Sequence, residues 1–186
     1  VRIVAGIHRG RALASVGKGD TGAHLRPTTD RVRESLFGML TGGRFGDPIT
    51  DAHVLDLFAG TGALGLEALS RGASHVSFAD SGRKAQTLIR QNITLLKAEP
   101  QTKLIARDAR RLPPAPYPAA LVFLDPPYGK AMGEAALASA QAQGWLAPGA
   151  LIVWEENTPQ SPPADFALLE SRPYGDSHIT LLTAPT

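Results

Sequence analysis

The sequence has no cysteine, few aromatic residues (6%) and no long apolar run, and each absence excludes a class of protein. Without cysteine there is no disulfide framework, no thiolate metal site and no cysteine nucleophile, a composition suited to a reducing cytoplasm. The cleanest apolar stretches, Ala119 to Leu124 and Ala150 to Trp154, are far shorter than the about 20 residues that cross a bilayer, so no membrane helix is expected. The start, Val1-Arg2-Ile3-Val4, has no signal-peptide layout, and its lack of Met leads to the expectation that residues precede Val1 in the natural chain. The histidines, His8, His24, His53, His75 and His178, have no ligand spacing, so no metal site is expected. What remains is globular: 186 residues, 43% hydrophobic, enough for one core with a small appendage. A monomer is the default expectation.

Charge is unevenly spread. Residues 1–46 hold eight basic side chains (Arg2, Arg9, Arg11, Lys18, Arg26, Arg31, Arg33, Arg44) against Asp20, Asp30 and Glu34, a net +5, which leaves the rest of the chain at −3. A basic end on a mildly acidic body is the distribution expected when that end meets a polyanion; a solvated, arginine-decorated face is the competing reading. The division expected is a basic extension, residues 1–46, on a core, residues 47–186.

The extension reads as two short strands, Arg2 to Ala5 and Arg11 to Val16, then a Gly-rich loop through Gly22. A helix starting near Pro27-Thr28-Thr29-Asp30 follows, with Val32, Leu36, Phe37 and Leu40 at helical spacing and Gly42-Gly43 ending it. In the core, strands at 53–59, 75–80, 102–107, 119–125 and 149–155 alternate with helices at 62–71, 82–97 and 131–143, the second capped by Ser81. Such alternation means a parallel sheet with helices on both faces. Phe166 to Arg172 and His178 to Thr183 are strands separated by only Pro173 to Ser177. A parallel crossover needs a dozen or more residues, so this pair is antiparallel. The expected fold is α/β: a seven-stranded, mostly parallel Rossmann-like sheet closing in an antiparallel hairpin, preceded by a small N-terminal β-hairpin and helix. Trp145 and Trp154 read as core; Glu155 and Glu156, at the end of the fifth strand, are candidate ligand contacts, with helix capping or solvent exposure the favoured reading.

The sharpest local signal is Asp56-Leu57-Phe58-Ala59-Gly60-Thr61-Gly62-Ala63-Leu64-Gly65, where Gly60, Gly62 and Gly65 match G-x-G-x-x-G between strand and helix. Asp80 follows at the end of the next strand, where a carboxylate can accept from both hydroxyls of a ribose. An adenosine-containing cofactor is implied. A dinucleotide would bring its pyrophosphate to this loop, where Asp56 opposes it; S-adenosylmethionine brings an ammonium and a sulfonium instead. Asp56, Asp80, Asp108 and Asp125 all stand at strand ends, a rim of carboxylates that suits a cation. The cofactor set is Asp56, Ala59, Gly60, Thr61, Gly62, Asp80, Asp108 and Ala109, with Asp56 near the methionyl amine and Asp108 on the adenine amino group.

Asp125-Pro126-Pro127-Tyr128 supplies what methyl transfer to a planar exocyclic amine requires. That nitrogen is a poor nucleophile because its lone pair is delocalised. Asp125 and the carbonyl of Pro126 can each accept one of its N–H groups, Pro127 fixes the turn, and Tyr128 offers a face on which a base stacks. The step is an in-line displacement governed by proximity and orientation, with proton loss after transfer and no metal.

Leu25-Arg26-Pro27-Thr28-Thr29-Asp30-Arg31-Val32-Arg33-Glu34-Ser35-Leu36-Phe37, the run Asp56 to Gly72 and Asp125 to Tyr128 together resemble the RsmD-type methyltransferases, which methylate guanine N2 in bacterial 16S ribosomal RNA. The resemblance runs from Arg2 to about Leu182. It implies a class I methyltransferase fold, S-adenosylmethionine as donor with S-adenosylhomocysteine as product, and assembled or assembling small ribosomal subunits in the cytoplasm as substrate. It also reweights the basic end: Arg9, Arg11, Arg26, Arg31 and Arg33 become candidate RNA contacts, although Arg33 can equally pair with Asp30 or Glu34 on its own helix. Asp-Pro-Pro-Tyr is shared with adenine-N6 and glutamine methyltransferases, so an adenine-N6 nucleic-acid methyltransferase is the near alternative. A nicotinamide-dependent oxidoreductase and a non-catalytic RNA-binding module are more distant ones.

Overall fold

The computed structural model describes residues 1–16 and 29–186. Thr29 caps the first helix, α1 (Asp30–Leu40), its hydroxyl accepting the Val32 N–H at 3.2 Å, with Asp30 in the first turn where the helix dipole favours an acid. Leu36, Phe37 and Leu40 face inward, and the Phe37 ring meets Phe123 at 5.6 Å between centroids. The proposed start at Pro27-Thr28 lies outside the described residues.

The core then alternates as its pattern demands: β1 (His53–Leu57), α2 (Ala63–Ser70), β2 (His75–Ala79), α3 (Arg83–Leu95), β3 (Thr102–Ile105), β4 (Ala119–Leu124), α4 (Met132–Ala142) and β5 (Leu146–Glu156), closed by β6 (Ala167–Tyr174) and β7 (Ser177–Thr183). The sheet order is β3-β2-β1-β4-β5-β7-β6. The first five strands pair in parallel, and β7 lies antiparallel between β5 and β6. The expected seven-stranded mixed sheet is therefore the one observed. Its closing hairpin is tighter than expected: Tyr174 pairs with Ser177, leaving only Gly175-Asp176 as the turn, with Gly175 at φ +58°.

One face of the sheet is covered by α1, α2 and α3 and the other by α4, and Trp145 and Trp154 are buried on the α4 side. Ile3 and Leu13 belong to the same apolar cluster as α2, α3 and the sheet, so the N-terminal segment shares one core with the rest.

Two local expectations need correction. Ser81 does not cap α3; the cap position is Gly82, whose N–H donates to Asp80 at 2.8 Å. The N-terminal strands reduce to a short antiparallel contact around Arg2 and Ala12. The reason is competition for backbone groups by buried side chains. Every residue of α2 is buried, so its one carboxylate, Glu67, must be satisfied from within the protein. It accepts the N–H groups of Val4 (2.8 Å) and Ala5 (3.1 Å) and the guanidinium of Arg71 (2.9 Å), with Arg33 Nε at 3.5 Å. Asn92 on α3 likewise takes both backbone groups of Ala14.

Candidate cofactor and active site

The register of the parallel strands builds the site. Ala79, Leu57, Leu124 and Trp154 form one row across β2, β1, β4 and β5. One residue further, at the C-terminal rim where open α/β sheets bind ligands, stand Asp80, Phe58, Asp125 and Glu155. Strands lie roughly 4.8 Å apart, so Asp80 and Asp125 project from positions separated by roughly 10 Å, with the glycine loop between them.

That loop leaves β1 through Phe58, a non-glycine residue at φ +56°, then Gly60 (φ +61°) and Gly62 (φ +80°). Gly65 is required for packing: a Cβ there would lie 2.6 Å from Phe78 Cε1 and 3.0 Å from Asp56 Oδ2. Helix and strand therefore approach closely enough for the Gly65 N–H to donate to Asp56 Oδ2 at 3.0 Å.

Asp56 is fully buried below the loop, and burial, reinforced by the charge of Asp80 and opposed by the Gly65 hydrogen bond, pushes its carboxyl up to about 8. Asp80 accepts from Gly60 N (3.0 Å) and Gly82 N (2.8 Å), fixing the loop against the next turn; burial raises its carboxyl against those two bonds. Two carboxyls under one loop suit a cation and oppose a pyrophosphate, so the residues present fit S-adenosylmethionine. Asp108 is held by Arg110, which spans both carboxylate oxygens at 2.7–3.1 Å and keeps its pKa low. An adenine amino group would have to share that carboxylate with the guanidinium. Ala109 is buried beside Ile105 and Leu112.

On the other side of the rim, the backbone N–H of Asp125 donates to Leu57 O (3.4 Å), tying the Asp-Pro-Pro-Tyr turn to β1. Pro126 is buried, Pro127 exposed, and Asp125 and Tyr128 half-buried. Gly129, at φ +70°, then donates its N–H to Glu156 Oε1 at 3.1 Å. Glu156 and Glu155 are both buried, which corrects the expectation of solvent exposure for both. Glu156 thus ties the segment after the Asp-Pro-Pro-Tyr turn to the end of β5; its signal in the sequence is two adjacent acids ending a strand that is otherwise apolar.

The candidate RNA contacts divide. Arg9 and Arg31 are exposed. Arg11 is exposed but donates to Leu95 O at 2.9 Å, and Arg26 lies outside the described residues. Arg33 is fully buried, bonded to Asp30 (2.9 Å), the Arg2 carbonyl and Glu67, so it is a structural cation and no RNA contact. Among the described residues no cluster of His, Cys, Asp and Glu could hold a metal.

Sheet order, antiparallel β7 and a rim bearing a glycine loop beside an Asp-Pro-Pro-Tyr turn define the class I methyltransferase fold. Within that class the chain belongs to the family described as Conserved hypothetical protein 95, the RsmD family, whose model matches residues 1–183. It is 38% identical over 171 residues to Ribosomal RNA small subunit methyltransferase D of Escherichia coli K12, covering 90% of this chain and 82% of the relative. The protein of that name from Haemophilus influenzae is 35% identical, with 94% and 89% covered. The solved structure of yhhF from Escherichia coli superposes with a TM-score of 0.81 at 35% identity, covering 100% of this chain and 98% of that one.

Proposed function

We propose that this protein transfers a methyl group from S-adenosylmethionine to the exocyclic N2 amine of a guanine in 16S ribosomal RNA, acting as a cytoplasmic monomer on the small ribosomal subunit. The observation that carries the reading is the rim row: Asp125 stands two strands from Asp80 with the glycine loop between them. A cofactor anchored through Asp80 thus faces an amine held at Asp125. The names of the family relatives supply the RNA class, and the basic extension, residues 1–46 on the 47–186 core, supplies a surface for it.

S-adenosylmethionine, when bound, supplies an electrophilic methyl on a sulfonium. Asp56 and Asp80, beside the Gly60–Gly62 loop, would hold its charged and ribose ends. Asp125 and the Pro126 carbonyl each accept one N–H of the target amine, which aims its lone pair at the methyl carbon, and Tyr128 stacks on the base. Pro126 contributes only its carbonyl, since proline has no N–H, and Pro127 leaves no competing donor at the turn. Proximity and alignment supply most of the rate, and the proton leaves after transfer.

The test is transfer from isotopically labelled S-adenosylmethionine to small subunits lacking the modification, followed by digestion to nucleosides. Label in N2-methylguanosine is expected. Label in N6-methyladenosine would keep the chemistry and overturn the acceptor; no label, in a protein that binds S-adenosylmethionine, would overturn the substrate.

A further inference from the structure

We propose that the outer face of α3, together with the N-terminal hairpin docked against it, is a track for RNA phosphates that leads away from the rim. This deepens the function proposed above and rests on it. From residue 81 to 98 the sequence has Arg83, Lys84, Arg90 and Lys97 and no acid. Set beside the +5 of residues 1–46, this segment adds +4, against a sum of −7 for the remainder of the chain. The fold joins them. Arg11 donates to Leu95 O at the end of α3, and the buried Asn92 amide pairs with Ala14 N (2.7 Å) and Ala14 O (3.0 Å) while also donating to Thr61 O in the cofactor loop (2.9 Å).

Ala85, Leu88, Ile89, Asn92 and Ile93 take the inward face of α3, which turns Arg83, Thr87, Arg90 and Thr94 to solvent. Arg83 and Arg90 are seven residues apart, two helical turns, and so share one side at a spacing of roughly 10 Å. The hydroxyl-bearing Thr87 and Thr94 alternate with them, and exposed Lys97 follows just past the helix end. Arg90 and Thr94, with Gln91 and Leu95, line a shallow groove. The row begins at the cofactor rim, where Gln86 donates to Asp80 O (2.9 Å), and ends roughly 20 Å away at the hairpin, where Arg9 is exposed. A face whose only task is solubility carries both signs; this one carries cations and hydroxyls, with no aromatic platform for bases. That chemistry fits the sugar-phosphate backbone, read without regard to sequence.

The test uses the double variant Arg90→Gln/Lys97→Gln, both sites at the far end of α3 from Asp80. Methyl transfer to unmodified small subunits and binding of a 16S RNA fragment are each measured against salt concentration. Each lost phosphate contact lowers the slope of log affinity on log salt by about 0.7–0.9, so a fall of about 1.5 is expected. The subunit KM should rise, with kcat and S-adenosylmethionine affinity unchanged, and Arg90→Lys should keep the parent slope. An unchanged slope in the double variant overturns the track even when the parent enzyme methylates subunits. If the parent transfers no methyl to subunits, the proposed function falls, and RNA-fragment binding alone then decides the track. A defect seen with subunits but absent with RNA assigns the face to a ribosomal protein and overturns it.

Discussion

Replacing Asp56 by Asn should stabilise the cofactor-free protein while weakening its hold on S-adenosylmethionine. Burial raises this carboxyl from its ordinary value near 3.8 to about 8. A group whose folded pKa is raised favours the folded state below the unfolded pKa, and that advantage is lost as pH climbs from about 4 to about 8. Each pKa unit corresponds to about 1.4 kcal/mol, so between pH 5 and pH 8 the wild-type protein loses up to about 4 kcal/mol that Asp56→Asn does not lose. An Asn carbonyl can still accept the Gly65 N–H that now reaches Asp56 Oδ2. Denaturant unfolding of both proteins across pH 5 to 9 isolates this group, because other titrations cancel in the difference. The stability difference should widen in favour of Asn up to about pH 8 and then level off. A pH-independent difference would refute the reasoning. Because a cation draws the proton off Asp56, calorimetric titration of wild type at pH 7 should also show proton release on S-adenosylmethionine binding, and Asp56→Asn should not.

Three further outcomes are expected. Asp125→Ala should abolish methyl transfer with S-adenosylmethionine binding near normal; full turnover in that variant would remove the role assigned to the carboxylate. Glu67→Ala should cost about 3–5 kcal/mol in unfolding free energy, because it leaves the Val4 and Ala5 N–H groups without their acceptor and removes a buried carboxylate that pairs with Arg71 and Arg33. A loss under about 1 kcal/mol would mean water satisfies them. Glu156→Ala should lower kcat while leaving cofactor affinity unchanged, since it releases the Gly129 N–H that follows the Asp125–Tyr128 turn. Glu156→Gln, which keeps an acceptor, should restore most of the rate, and equal kcat values in all three proteins would exclude a positioning role.

The parts legible in the sequence are those coded locally. The glycine loop is flanked in sequence by the strand and helix it joins, and Asp80 falls at the end of the very next strand. The short link between the last two strands fixes their direction by reach alone. What was not legible depends on partners distant in the chain. Arg33 looked equally suited to RNA or to a neighbour on its own helix, because Glu67, 34 residues away, is invisible to local pattern. Glu67 itself carried a hint, since the helix around it is apolar on every side and leaves a carboxylate no solvent face. Asn92 gave none: an amide in an amphipathic helix is ordinary until Ala14 and Thr61 are found on either side of it. The Glu155-Glu156 pair was misjudged for the related reason that β5, covered on both faces, is buried to its last residue.

The place of β7 has a consequence for how the protein is made. It is made after both of its neighbours yet is an interior strand, hydrogen-bonded to β5 on one side and β6 on the other. Until it emerges, β5 presents an unpaired edge along Leu151 to Glu156, a row rich in Leu, Ile, Val and Trp, and β6 has nothing to join. Between the synthesis of β5 and that of β7, nascent chains therefore carry an adhesive strand. Any truncation that removes residues 177–183 should yield aggregates rather than a smaller soluble enzyme.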